Sequence, residues 1–447
     1  MNQKVFEEYA IPKAVFTMAL PTVLSMLVTV FYNMADTFFV GQTGDANQVA
    51  AVSLTTPVFL MLMAIGNIFG IGGSSYISRL LGEGKKDQVK YVSGFCFYGC
   101  IVFGLIMMGI FLGGMESILG LIGASENTYQ FSKEYLTYIG YGAIFVVVSN
   151  AYGNIVRGEG AARISMIGMM IGTIVNIVLD PVMILWMDMG VAGAAVATII
   201  GNICAVIFYL VYILRGNTLL SVSPKHFKMS EGIIGSVFAI GIPASFNNIL
   251  MSVSNIVLNI YLASYGDDAV AGMGVAMKIN ILVVLTCLGV GMGVQPLVGY
   301  NYGAKNYIRM RGVMKFGILC NVVIGSTITL LYCLFTKPIV QAFINDDSVV
   351  RYGVQMLRVL MISAPFLGIM FVLNFSFQGM GKALPSLILS VGRQGLFFFP
   401  ILIAANHFFG LNGIIYAQPL ADVAAVCIAA AMFFYINRKL KAEVQNG

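Results

Sequence analysis

Residues 21–33 read PTVLSMLVTVFYN, and residues 243–255 read PASFNNILMSVSN. Both stretches open on a proline, run apolar with Ser, Thr and Asn interspersed, and close on an asparagine, 222 residues apart. Each lies inside a longer apolar run, at about 14–40 and 233–264. A membrane-spanning helix takes about 20 such residues, so both runs qualify. Working outward, similar runs cover about 49–80, 91–114, 132–156, 164–187 and 190–214, and then 269–300, 312–336, 351–378, 384–406 and 411–436. That makes twelve spans. Of the 447 residues, 59% are hydrophobic and only 10% charged, and the mean hydropathy is +0.89. A soluble domain is nearer 45–50% apolar and about 25% charged, so hydrocarbon must be the solvent on most sides.

The proline-led pair is one of several matches in the same order. Gly44-Asp45 matches Gly266-Asp267 at an offset of 222, and Gly70-Ile-Gly72 with Gly84 matches Gly289-Val-Gly291 with Gly303 at 219. Arg157-Gly-Glu-Gly160 resembles Gln378-Gly-Met-Gly381 at 221, and Gly190-Val-Ala-Gly193 matches Gly410-Leu-Asn-Gly413 at 220. Nearly constant spacing indicates a duplicated six-span unit. Six spans per half give both halves one orientation, an arrangement found in transporters. The expected fold is an all-α integral membrane protein with twelve transmembrane helices in two parallel six-helix lobes, related by a pseudo-two-fold axis along the membrane normal. The expected divisions are an N-lobe at 1–218, a cytoplasmic linker at 219–232 and a C-lobe at 233–447.

Charge placement sets the topology. Lys4, Lys13, Arg79, Lys85, Lys86, Arg157, Arg163, Arg215, Lys225, Lys228, Lys305, Lys382 and Lys439 fall in the termini and every second connection. The alternate connections carry Asp45, Glu116, Glu126, Asp188, Asp267 and Asp346, with few bases beyond Lys133, Lys337 and Arg351. Positive residues stay inside, so both termini are expected in the cytoplasm and the chain in the cytoplasmic (inner) membrane. The net charge of +6 is thereby a topology signal, and no nucleic-acid partner is implied. The two histidines, His226 and His407, lie far apart, and the seven cysteines show no CxxC spacing. A zinc site or a disulfide framework needs tighter spacing. An enzyme would show clustered His, Cys or carboxylates near one interface, and no such cluster is present in the sequence.

Acids in hydrocarbon are costly, on the order of 2.5–3.5 kcal/mol each at the bilayer centre, and they default to function. Asp36, Asp180 and Asp422 lie inside apolar runs. Asp36 also reads as interfacial, because the Gly41–Gly44 break is little more than a turn away. Asp180 also reads as part of a kink, because Pro181 follows it. Asp422 has only Asn202 as its counterpart in the first half, and its role is open, as are those of the intramembrane bases Lys278 and Arg393. Asn33 and Asp36 are three residues apart, with Tyr32 a full turn before Asp36. Asn176 and Asp180, and Thr198 and Asn202, are each four apart, so each pair shares a helix face. If those faces converge, they gather hard oxygen ligands suited to Na⁺ or a shared proton. Asn150 and Asn154 share a face that either lines a cavity or bonds a neighbouring helix.

The stretch Phe31-Tyr-Asn-Met-Ala-Asp36-Thr-Phe-Phe-Val-Gly41, with Asn176-Ile-Val-Leu-Asp180-Pro181, Arg157-Gly-Glu-Gly160 and Gln295-Pro-Leu-Val-Gly-Tyr-Asn-Tyr-Gly-Ala-Lys305, resembles the multidrug and toxic compound extrusion (MATE) family, in its MepA-like and DinF-like bacterial branch. The membrane glutamate that another branch carries in its seventh span has no acidic match in 243–264. The resemblance implies a two-lobe exporter with a V-shaped cavity, not an enzyme. It implies cation coupling, H⁺ or Na⁺, at Asp36, Asn176, Asp180 and Thr198, the same oxygens serving as ligands if the ion is Na⁺. It implies a helix hinge at Pro21, and cavity residues among Tyr32, Asn33, Asn150, Asn154, Met169 and Asn202. The function expected is antiport of amphipathic, often cationic, drugs, by a chain that works as a monomer in contact with membrane lipid and without a cofactor. The alternative is a flippase for a lipid-linked precursor, which would want a cationic cavity for pyrophosphate.

Overall fold

The structure, a computed structural model, describes residues 4–216, 218–344 and 346–446, and the side chains among them other than those of Asn33, Asp36, Thr37, Glu231 and 441–446. In chain order its helices are α1 (Lys4–Glu7), α2 (Ile11–Gly41), α3 (Ala46–Gly82), α4 (Lys86–Gly113), α5 (Met115–Leu121), α6 (Glu126–Tyr141), α7 (Ala143–Gly158), α8 (Ala162–Asp180), α9 (Gly190–Leu214), α10 (Glu231–Ala263), α11 (Asp267–Gly303), α12 (Tyr307–Gln341), α13 (Asp347–Ile362), α14 (Ala364–Gly379), α15 (Ala383–Val391), α16 (Phe398–Phe409) and α17 (Leu411–Asn446). Among the described residues, ten spans are long and apolar enough to cross a membrane, and the bent pairs α6–α7 and α13–α14, each taken as one span, bring the number to twelve. This is a multi-pass, all-helical membrane protein, as the apolar runs require. The helix surfaces agree. Phe31, Ile174, Val178, Leu330 and Phe434 are large, apolar and exposed, which only a lipid solvent makes favourable.

The duplication extends to irregularities that the sequence matches do not show. The fourth span of each half is broken, by 60° between α6 and α7 and by 46° between α13 and α14. The fifth span of each half contains a π-helical turn, at Pro181–Trp186 and at Gly392–Leu396. The first of these has a local cause. Pro181 has no N–H to give the carbonyl four residues back, and the chain widens past it, with the Met187 N–H bonding Val182 O at 2.9 Å.

The chain forms two compact units, but their boundaries are not those expected from the spans. One unit holds Lys4 and Leu24–Ser245, and the other holds Val5–Val23 and the chain from Phe246 onward. The division falls inside α2 and α10, two residues after Pro21 and two after Pro243, where a missing backbone donor weakens the helix. Residues 219–232, expected as a separate linker, belong to the first unit. They are fastened to it by Ser221 N–H on Ser93 Oγ at 3.3 Å and by the Tyr98 hydroxyl on Val222 O at 3.0 Å. Glu159, just past α7, accepts from the Tyr212 hydroxyl at 2.7 Å and the Thr218 hydroxyl at 2.5 Å, drawing the start of this segment inward.

Burial pushes the Glu159 carboxyl above the ordinary glutamate value of 4.5, and its hydrogen bonds only partly oppose that. A raised folded pKa contributes stability that is fully present below the unfolded value and is lost as pH rises through the folded one. Glu159→Gln is therefore expected to gain thermal stability over the native chain near pH 8 and to lose that advantage near pH 5. Melting curves in detergent at both pH values measure this, and an equal difference at each would contradict it.

Candidate functional site

Three elements of the first unit build a polar cluster within the apolar spans. On α8, Ile174 and Val178 face outward, while Asn176 and Asp180, each two residues further on, are buried at 2% and 0% exposure. The shift of roughly 200° per two residues is what separates a lipid face from an interior face on one helix. Thr198 on α9 is buried as well. The Asn176 amide accepts from the Thr198 backbone N–H at 3.0 Å and hydroxyl at 3.3 Å, and donates to Asp180 Oδ2 at 3.3 Å. Tyr32 on α2 reaches the Thr198 hydroxyl at 3.2 Å. The network therefore runs from Tyr32 through Thr198 and Asn176 to the carboxylate, each donor serving the next acceptor.

Close backbone approach makes the cluster possible. A Cβ added to Gly201 would lie 2.5 Å from Gly172 O, and one added to Gly172 would lie 3.0 Å from Gly201 O. The two glycines let α8 and α9 touch one turn from Asn176 and beside Thr198. The spacing Gly168-x-x-x-Gly172 is the sequence signal for such a contact in a membrane. It escaped the reading of polar residues because neither glycine carries a functional group.

The expected site residues divide. Tyr32, Asn176, Asp180 and Thr198 come together. Asn33 and Asp36 lie on α2, but their side chains are outside the described residues. Asn202 turns back on its own helix, donating to Thr198 O at 2.8 Å. Asn150 donates to Met63 O at 2.7 Å and to Asn67 Oδ1 at 3.1 Å, and Asn154 donates to Asn150 O at 2.9 Å and accepts from Arg157. The Asn150 amide thus fastens α7 to α3, the Asn154 amide bonds within α7, and neither joins the Asp180 cluster. Met169, half-buried, lies against Gly153 of α7, nearly two turns before Asn176. Pro21 sits inside α2 beside the division between the units. Of the intramembrane bases, Lys278 is exposed, whereas Arg393 is buried and bonds Asp422 at 2.7 Å.

The site can be set beside known proteins. The MatE family model matches residues 21–182 and again 243–403, once for each half of the internal duplication. The multidrug export protein MepA of Staphylococcus haemolyticus is 36% identical over 443 residues, covering 99% of this chain and 97% of that protein. Its counterpart from Staphylococcus saprophyticus is 33% identical over 445 residues, covering 99% and 98%. An outward-facing multidrug resistance MATE family transporter superposes with a TM-score of 0.92 at 25% identity over 98% of each chain. A MATE structure in the straight conformation gives 0.90 over 98% of each chain, and one in the bent conformation gives 0.89 over 98% and 97%, both at 25% identity. With both halves matched by the family model and relatives aligned almost end to end, the chain belongs to the multidrug and toxic compound extrusion (MATE) family, in its MepA-like branch.

Proposed function

We propose that this chain is a multidrug exporter of the cytoplasmic membrane that drives amphipathic, often cationic, substrates outward in exchange for inward H⁺ or Na⁺. The observation that carries the reading is the buried Asp180 carboxylate, wired through Asn176 and Thr198 to Tyr32 within the membrane spans. A carboxylate, an amide and two hydroxyls are hard oxygen groups that suit either ion. The MepA relatives, named multidrug export proteins, support the export half of the reading. Positive residues at the termini and alternate connections support cytoplasmic termini.

The proposed mechanism uses Tyr32 as the lever. A cation entering from outside binds Asp180, together with Asp36, and neutralises the cluster. That changes what the Asn176–Thr198 relay offers the Tyr32 hydroxyl, and so the position of α2 after Pro21. A proline removes one backbone bond from the helix, so a bend there is inexpensive. Related proteins solved in bent and straight conformations support two accessible states. Exchange requires only that the cation bind one of the two better than the other.

Efflux of a fluorescent lipophilic cation from proteoliposomes, with H⁺ and Na⁺ gradients imposed separately, tests the reading. At least one cation gradient should accelerate efflux. A rate indifferent to both gradients would reject the coupling.

A further inference from the structure

The α17 helix repeats α9 at an offset of 220, as Gly190 and Gly410 mark. At that offset Thr198 becomes Gln418 and Asn202 becomes Asp422. The second unit therefore carries its own polar pair on the equivalent helix face, now with an acid. In the first unit the partner helix α8 presents Asn176 and Asp180. In the second unit the fifth span (α15, the π-helical turn 392–396 and α16) presents Arg393. Its Nε donates to Asp422 Oδ1 at 2.7 Å, and Gln418 Nε2 donates to the same oxygen at 3.1 Å.

Both members are buried, the Arg393 side chain at 7% exposure and that of Asp422 at 2%, and the other ion pairs among the described residues involve exposed side chains. The turn that aims Arg393 is fixed by the Ser254 hydroxyl on Gln394 O at 2.5 Å, and the guanidinium carbon lies 5.6 Å from the centre of the Phe371 ring. A lone carboxylate in this setting would take up a proton or a metal cation. A guanidinium stays protonated across the working pH range and cannot leave.

We propose that Arg393 is a tethered cation: it neutralises the buried Asp422 carboxylate of the second half as the exchangeable cation neutralises Asp180 in the first, so Asp422 is a cation site held shut. The chain then exchanges cations through the Asp180 cluster alone, and its second half is blind to the gradient. This rests on the proposed coupling at Asp180, but Asp422 can be tested separately.

The test counts exchangeable cations on the purified full-length protein, using radiolabelled Na⁺ in equilibrium dialysis and proton uptake in a pH-stat. The native chain should hold one, Asp180→Asn none, Arg393→Met two, Asp180→Asn with Arg393→Met one, and the triple variant adding Asp422→Asn none. A count for Arg393→Met equal to that of the native chain overturns the proposal. A native count of zero, with a gain on Arg393→Met, would sink the Asp180 reading and leave Asp422 standing as a latent site. Should Arg393→Met not fold, the paired variant Arg393→Met with Asp422→Asn removes both charges together. Because replacing a buried ion pair with neutral groups is often tolerated, it should keep gradient-driven efflux within about twofold of native. A folded paired variant with efflux reduced by about tenfold or more would show that the pair takes part in coupling and overturn the proposal.

Discussion

Asp180→Asn is expected to lower gradient-driven efflux by about two orders of magnitude or more, while leaving the protein folded and no less stable. The two halves of that expectation have separate physical causes. Moving a two-state equilibrium from 1:99 to 99:1 takes a ~10⁴-fold preference of the driving ligand for one state. An amide cannot hold a proton or Na⁺ with the affinity of a carboxylate, so the preference collapses with the charge. Stability moves the other way. Asparagine keeps the shape of the side chain and its bond to Asn176, and it removes a buried charge that costs on the order of 2.5–3.5 kcal/mol at mid-membrane. Proteoliposome efflux and a melting curve on the same preparation check both. Efflux near the native rate would show that the carboxylate does not couple. Lost efflux with a lowered melting point would reduce its role to folding.

Gly201→Ala should produce nearly as large a loss by a purely steric route. The new Cβ would sit 2.5 Å from Gly172 O and 3.3 Å from Asn176 Cβ. A backbone carbonyl cannot rotate away as a flexible side-chain tip can, so α8 and α9 must part by several tenths of an ångström. The Asn176–Thr198 contacts at 3.0–3.3 Å then lengthen beyond useful hydrogen bonds. Overpacking of this kind costs about 1–3 kcal/mol, and cation affinity should drop about tenfold or more with the loss of an oriented ligand. Gly109→Ala on α4 is the control. A Cβ there meets nothing within 4 Å, and alanine favours the helix by up to about 1 kcal/mol. Comparable losses from both substitutions would show that the α8–α9 approach has no special part in the site.

Much of the candidate site could be read from spacing. Asn176 with Asp180, and Thr198 with Asn202, are polar pairs four residues apart on one helix face, and phase is a local property; that Tyr32 meets Thr198, 166 residues away, is not. Asn150 and Asn154 satisfied the same test, but Asn150 fastens α7 to α3 and Asn154 bonds within α7. Spacing shows that two amides share a face but not which helix that face meets. The same limit applies to Arg393 and Asp422, 29 residues apart on different spans, whose pairing follows from how the fifth and sixth spans of the second half pack.

The sequence by itself determined the twelve apolar runs, the duplication at offsets of 219 to 222 and the family, because hydropathy and repeat spacing depend on the order of residues alone. Tertiary structure alone decided three things. It placed the division between units inside α2 and α10 rather than in the connecting segment, set the bends within the fourth spans, and made Gly172 and Gly201 the contact that assembles the cluster. The reason is physical. Every span is already content with lipid as its solvent, so hydrophobicity does not choose helix partners; close packing of small residues and pairing of buried polar groups do, and both exist only once the helices are side by side.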